Sequence, residues 1–150
     1  ASACAQVGAR KNFAFEMRSL TELATLHDPK GEVNFHEIYN TSGEPDGGWQ
    51  SGWHWPPLNH QTWCATGYLR NYLCWVAGMR LQLDGLHFQP VGIGSPRVVL
   101  QHIPYRNTLL NITIEGNGHT LKKCVINGKK SEPFIPADAQ GNYEIVLIMR

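Results

Sequence analysis

The chain has 150 residues, of which 42% are hydrophobic, and carries a net charge of +1. That is apolar material for one domain core or for two small ones. The Lys and Arg are scattered, which argues against a nucleic-acid surface with its clustered positive charge. No apolar run reaches the ~18 residues that a membrane-spanning helix requires, so no membrane span is expected, and no signal peptide is visible.

The chain opens Ala1-Ser2-Ala3-Cys4 without a Met and enters partway into a helical segment, so the expectation is a piece of a longer polypeptide. Cys4, Cys64, Cys74 and Cys124 are widely spaced, with neither a C-x-x-C pair nor the ligand spacing of a zinc site. Buried free thiols are expected, and neither metal nor cofactor. The cysteines do not fix a compartment.

Residues 11–27 place Phe13, Met17, Leu20 and Ala24 on one face at helical spacing, widened by Leu23 and Leu26. Asp28-Pro29-Lys30-Gly31 is a stop signal, because proline disfavours helix at the residue before it and glycine suits a turn. Residues 32–60 show little periodicity. They contain the turn-forming run Thr41-Ser42-Gly43-Glu44-Pro45-Asp46-Gly47-Gly48 and the stiff exit Pro56-Pro57. A loop of that length without structure of its own is usually functional or disordered. The aromatics between Phe35 and Trp55 argue against disorder.

A second helix is expected from about Gln61, capped by Asn59. Leu69, Tyr72, Leu73, Val76 and Met79 share one face, while Ala65, Tyr68 and Trp75 fill much of the rest. A helix apolar nearly all round is packed on several sides. Cys64 and Cys74 would then stand ten residues apart on one helix, too far to bridge.

From Leu86 the period changes to two. Residues 86–90, 97–103, 108–115, 121–126 and 143–149 read as strands, and Leu110, Ile112 and Ile114 face one way in the third. Gly116-Asn117-Gly118 and Asn127-Gly128 are hairpin signals. Five short strands at this spacing suggest half or more of an antiparallel β-sandwich. The fold class is therefore α+β, with residues 1–82 helical around one long loop and residues 83–150 forming a β-domain.

The loop holds the chemistry. Four of the five tryptophans, Trp49, Trp53, Trp55 and Trp63, lie within fifteen residues, just after Glu37. Tryptophan faces stack on the apolar C–H faces of pyranose rings, and a carboxylate can activate a water or hold hydroxyls. The same tryptophans could pack the loop instead, Trp63 above all. His54 and His60 could meet sugar hydroxyls or make structural hydrogen bonds. His36, Glu37, His54 and His60 match no metalloenzyme spacing such as H-E-x-x-H. Asn40-Thr41-Ser42 and Asn111-Ile112-Thr113 fit the N-glycosylation pattern, which is frequent by chance. Tyr105-Arg106 reads as structural.

The run Phe35-His36-Glu37-Ile38-Tyr39-Asn40, the Thr-Ser-Gly-Glu turn after it, and Gln61-Thr62-Trp63-Cys64-Ala65-Thr66-Gly67-Tyr68-Leu69 resemble the C-terminal end of six-hairpin, (α/α)6-barrel glycoside hydrolases. These are the glycogen-debranching, trehalase-like and mannosyl-oligosaccharide-glucosidase kind. Ile103-Pro104-Tyr105-Arg106-Asn107, Gly116-Asn117-Gly118 and Asn127-Gly128-Lys129-Lys130 look like the β-rich tail of that family. The resemblance covers residues 11–150. Thr41 stands where the pattern has Pro, and Cys64 where it has Ser.

The resemblance implies the last helices and general-base loop of an (α/α)6 barrel over residues 1–82, followed by a β-sandwich-like tail over 83–150. It also implies an inverting hydrolase of α-linked oligosaccharides, working with two carboxylates about 6.5–9.5 Å apart. Glu37 takes the general base's position. The general acid belongs to an earlier barrel loop, and no residue here matches it, so the isolated chain is expected to be inactive or nearly so. Trp49, Trp53, Trp55, Gln61, Trp63 and His54 are the expected substrate contacts. The expected partners are an oligosaccharide and the remainder of the barrel. Two rival readings stay open: a non-catalytic carbohydrate-binding module, and a protein-interaction domain with the tryptophans or the β-tail as its surface.

Overall fold

The computed structural model describes residues 1–26, 30, 32–50 (the backbone alone at Gln50) and 52–150. The expected stop at Asp28-Pro29-Lys30-Gly31 lies, apart from Lys30, outside the described residues. The chain is α+β, with helices followed by antiparallel and mixed sheets. Helix α1 spans Ser2–Gln6, α2 spans Arg10–Leu26 and α3 spans Thr62–Asn71. Four minimal strands lie between α2 and α3: β1 Ile38–Tyr39, β2 Pro45–Asp46, β3 Trp49–Gln50 and β4 Trp53–His54. After α3 come β5 Met79–Leu81, β6 Gly85–Phe88, β7 Arg97–Tyr105 and β8 Asn107–Glu115. The last strands are β9 Leu121–Ile126, β10 Lys129–Ser131, β11 Phe134–Pro136 and β12 Gln140–Met149.

Two compact units result, one of Ala1–Ala14 with Asn71–Arg150 and one of Phe15–Arg70. The expected division at residues 82/83 falls inside the first unit, between β5 and β6.

In the first unit a five-stranded sheet has the order β10-β9-β12-β8-β7, and a three-stranded sheet the order β11-β6-β5. An antiparallel arrangement was the expectation. β12 instead runs parallel to β8, with Tyr143 opposite Leu110, Ile145 opposite Ile112 and Leu147 opposite Ile114. The cause is apolar matching. The buried residues of β8 alternate, as do Ile145, Leu147 and Met149 of β12, and this register puts both sets on one face. Gly116-Asn117-Gly118 is therefore no hairpin, because β12 separates β8 from β9. Its glycines serve the end of β12: a Cβ on Gly118 would stand 1.7 Å from the carbonyl carbon of Arg150. Asn127-Gly128 does make a two-residue hairpin, with Ile126 opposite Lys129 and both turn residues at positive φ, 49° and 79°.

The second helix is shorter than its periodicity predicts. α3 stops at Asn71, a π-helical turn follows over Tyr72–Val76, and Met79 opens a strand. Gly78 forces the change. Its φ is 66°, its carbonyl accepts the Gln89 N–H at 2.8 Å, and a Cβ there would lie 2.0 Å from the Gln89 carbonyl carbon. Asn59 lies three residues ahead of the helix, and its carbonyl accepts the Gln61 side-chain amide at 3.3 Å. Trp63 and Leu69 are exposed on α3, so it is not covered all round.

In the second unit α2 delivers its predicted stripe as far as Ala24. Met17 and Ala24 are buried, whereas Leu26 is exposed. Thr21 Oγ1 meets the Tyr68 hydroxyl at 2.8 Å, and the ring of Phe35 lies 5.0 Å from that of Tyr68. These contacts tie α2, the loop and α3 into one body. The thiols are all free, and only Cys124 is buried. No described helix is long and apolar enough to cross a membrane.

Candidate functional site

The loop is anchored at its ends and built from small hydrogen-bonded turns in between. Asn34 is buried at the exit from α2. Its N–H donates to the Ala24 carbonyl at 2.8 Å, and its Oδ1 accepts the His60 N–H at 3.0 Å. The Gln61 N–H donates to the Phe35 carbonyl at 2.9 Å, and the Glu37 N–H to the Leu58 carbonyl at 2.9 Å. The segment carrying Glu37 therefore runs beside the segment leading into α3.

Thr41 follows Asn40 in the turn after Glu37, and Asn40 organises that turn. Asn40 Oδ1 accepts the N–H groups of Ser42 at 2.9 Å and Glu44 at 3.0 Å, while its own N–H donates to the Glu44 carbonyl at 2.9 Å. This side-chain-to-backbone turn needs no proline. It brings β1 against β2, with Ile38 opposite Asp46 and Tyr39 opposite Pro45.

The next hairpin presents the tryptophans. Trp49 pairs with His54 across β3 and β4. The rings of Trp53 and Trp55 stack with centroids 5.3 Å apart at 29°. Trp55 is held from below by Gly48, since a Cβ on Gly48 would lie 1.6 Å from its indole. What reads in the sequence as turn composition is here a seat for an aromatic ring. Gly48→Ala is expected to displace Trp55 and to weaken any ligand that uses this surface by roughly tenfold, the scale of one lost stacking contact of ~1–1.5 kcal/mol. Calorimetry on the variant, with circular dichroism to check folding, measures this.

Glu37, Trp53, Trp55, Pro56 and Leu58 line one open cavity of about 380 Å³. Glu37 Oε2 is buried and has no hydrogen-bond partner. Buried polar atoms without partners are rare, and each asks for an explanation in terms of a ligand, water or catalytic role. Glu37 lines this aromatic-walled cavity, and its carboxylate can accept a proton or a hydroxyl from a molecule bound there.

The other expected contacts divide. Trp53 and Trp55 share the cavity with Glu37. Trp49 and His54 pack on each other at 6.3 Å and do not line that cavity. Gln61 lines a separate cavity of about 210 Å³ with Val33, Phe35, His60, Thr62 and Ala65. Trp63 is exposed rather than packed in a core. His60 is exposed at φ 52°. The ring of His36 lies edge-on to that of Tyr39 at 5.7 Å, and the His36 N–H donates to the Tyr39 hydroxyl at 3.1 Å. Of the two glycosylation patterns, Asn111 Nδ2 is engaged by Glu144 Oε1 at 2.6 Å. Arg106 donates to the Ala137 carbonyl at 3.3 Å, as a structural residue does. Among the described residues, no group of three His, Cys, Asp or Glu could hold a metal ion.

Pro56 and Leu58 complete the cavity lining and are visible as neighbours of Glu37 only once the loop has doubled back on it. Cys64, where the resemblance has Ser, does not line that cavity but feels the charge of Glu37. Burial raises its thiol above the usual range, and the negative charge of Glu37 raises it further. Removing that charge in Glu37→Gln is expected to lower the Cys64 thiol pKa. Alkylation of Cys64 by iodoacetamide, followed against pH by mass spectrometry, should then rise at a lower pH than in the parent chain. An unmoved profile would separate Cys64 from Glu37.

No protein-family model matches the chain, and no curated protein matches it.

Proposed function

We propose that the chain is the C-terminal part of an inverting glycoside hydrolase acting on α-linked oligosaccharides, with Glu37 as its general base. On this reading residues 1–82 supply the last helices of an (α/α)6 barrel, and residues 83–150 form its β-sandwich-like tail. The observation that carries it is that Glu37, one of whose oxygens is buried without a partner among the described residues, lines a cavity together with Trp53 and Trp55. An inverting base must accept a proton from a water on one face of the sugar, so one of its oxygens must be unspent. The stacked indoles offer the apolar face on which a pyranose ring lies. Trp49 and Trp63 are both exposed, and on this reading they meet further sugar units or the rest of the barrel.

The general acid is not matched by any residue here. That defines the assay. A glycosyl fluoride loses fluoride without needing protonation, so its hydrolysis requires the base and a positioned water but no acid. The chain should release fluoride slowly from an α-glycosyl fluoride, giving the β-sugar as first product, and should barely turn over aryl α-glycosides. Retention of configuration, or fluoride release that is equal in Glu37→Gln, would sink the reading.

A second reading, non-catalytic sugar binding, is favoured by the exposure of Trp49 at 69% and Trp53 at 63%. It predicts tight oligosaccharide binding by calorimetry that Glu37→Gln leaves intact, together with no fluoride release.

A further inference from the structure

A further cavity, of about 450 Å³, lies wholly within the first unit. Arg10 at the start of α2, Arg80 on β5, and His119 and Thr120 ahead of β9 all line it. Trp75 and Phe88 contribute apolar wall. No Asp or Glu is among the lining residues. Two arginines thus line one cavity with no acidic side chain in its lining, which favours positive potential there.

Each candidate donor is unspent on protein acids. Arg10 is exposed and makes no side-chain hydrogen bond or ion pair among the described residues. The Arg80 guanidinium lies over the Trp75 ring, 4.1 Å from its centroid, which holds it in place. Asp84, the carboxylate on the same β5–β6 hairpin, is taken by His87 at 3.0 Å. His119 Nδ1 is buried without a partner. The backbone N–H groups of His119 and Thr120 are already used, donating to the Arg150 carbonyl at 2.7 and 3.1 Å. The free recognition groups are therefore two guanidiniums and one imidazole nitrogen.

Solvated surface arginines are common and mean little singly. Here one is fixed on an indole, both line the same concavity, and a buried ring nitrogen beside them lacks a partner. We infer that this cavity binds a small phosphomonoester. The dianion matches two arginine charges, its oxygens accept from guanidinium forks in the way carboxylates and phosphates do, and the remaining volume admits a body the size of a sugar ring. The inference uses none of the Glu37 site's residues, so either proposal can fail without the other.

The test is a nuclear magnetic resonance titration of the full 150-residue chain with inorganic phosphate, glucose 6-phosphate and glucose. Sodium chloride at matched ionic strength is the control. Saturable shifts at the Trp75 indole and the His119 and Thr120 amides are expected with both phosphates, and none with glucose or chloride. Arg10→Ala, on an exposed first helical turn, should weaken binding about tenfold or more. Arg80→Lys keeps the charge but loses the fork and should weaken it less than Arg80→Ala. Shifts that fail to saturate, that chloride reproduces, or that survive Arg10→Ala at the parent affinity would overturn the assignment.

Discussion

Glu37→Gln is expected to cut fluoride release from the α-glycosyl fluoride by about 10²–10⁴, the range that a positioned general base contributes, while leaving the fold at least as stable. The two halves of this expectation come from the same atom. Oε2 is buried and has no hydrogen-bond donor among the described residues, so the substitution breaks no hydrogen bond to it. An amide of nearly the same shape keeps the packing and removes the proton acceptor. Loss of function without loss of stability marks a residue kept for its chemistry. A residue kept for structure behaves oppositely. If Glu37→Gln lowers the melting temperature and leaves fluoride release unchanged, the carboxylate belongs to the loop's scaffold. Glu37→Asp adds a control on reach, because it keeps the acid but withdraws it by one methylene. It should fall between parent and Gln variant.

The legible part of this chain was its local chemistry. The stripe on α2 followed from the spacing of Phe13, Met17 and Ala24, which are all buried. The face of β8 followed from the alternation of Leu110, Ile112 and Ile114, and the turn at Asn127-Gly128 from its two residues. The illegible part was long-range pairing. Nothing in Gly116-Asn117-Gly118 announces that a strand from residues 140–149 will enter between its two flanking strands. That choice is settled by which apolar sets align. The periodicity predicts too long a helix after Gln61, because Tyr72, Leu73 and Val76 keep helical spacing up to Gly78. The close approach of Gln89 that makes Gly78 end the helical run is a tertiary fact. At the site, Glu37 and the tryptophans were identifiable by type, but their grouping was not. Trp53 and Trp55 reach Glu37 because the loop doubles back through the Leu58 carbonyl, whereas Gln61, close in sequence to that bond, points to another cavity.

The central position of β12 makes the other large effect. Leu147 is fully buried and lies opposite Ile114 on one side and Cys124 on the other. Leu147→Ala removes packing from the middle of the five-stranded sheet and leaves a cavity that rigid neighbours on both flanks cannot close. A cost of about 2–5 kcal/mol is expected, which for a unit of this size lowers the melting temperature by roughly 10 °C or more. Val99→Ala on β7, an edge strand of the same sheet, removes a side chain that is 41% exposed and should cost under about 1 kcal/mol. The contrast tests topology as well as packing. In an antiparallel meander that left β12 at an edge, the two substitutions would cost nearly the same, and the amides of β12 would exchange with solvent as fast as those of β10. With β12 paired on both sides, its amides from Ile145 to Ile148 should be among the slowest to exchange, and Leu147→Ala should speed them far more than Val99→Ala does.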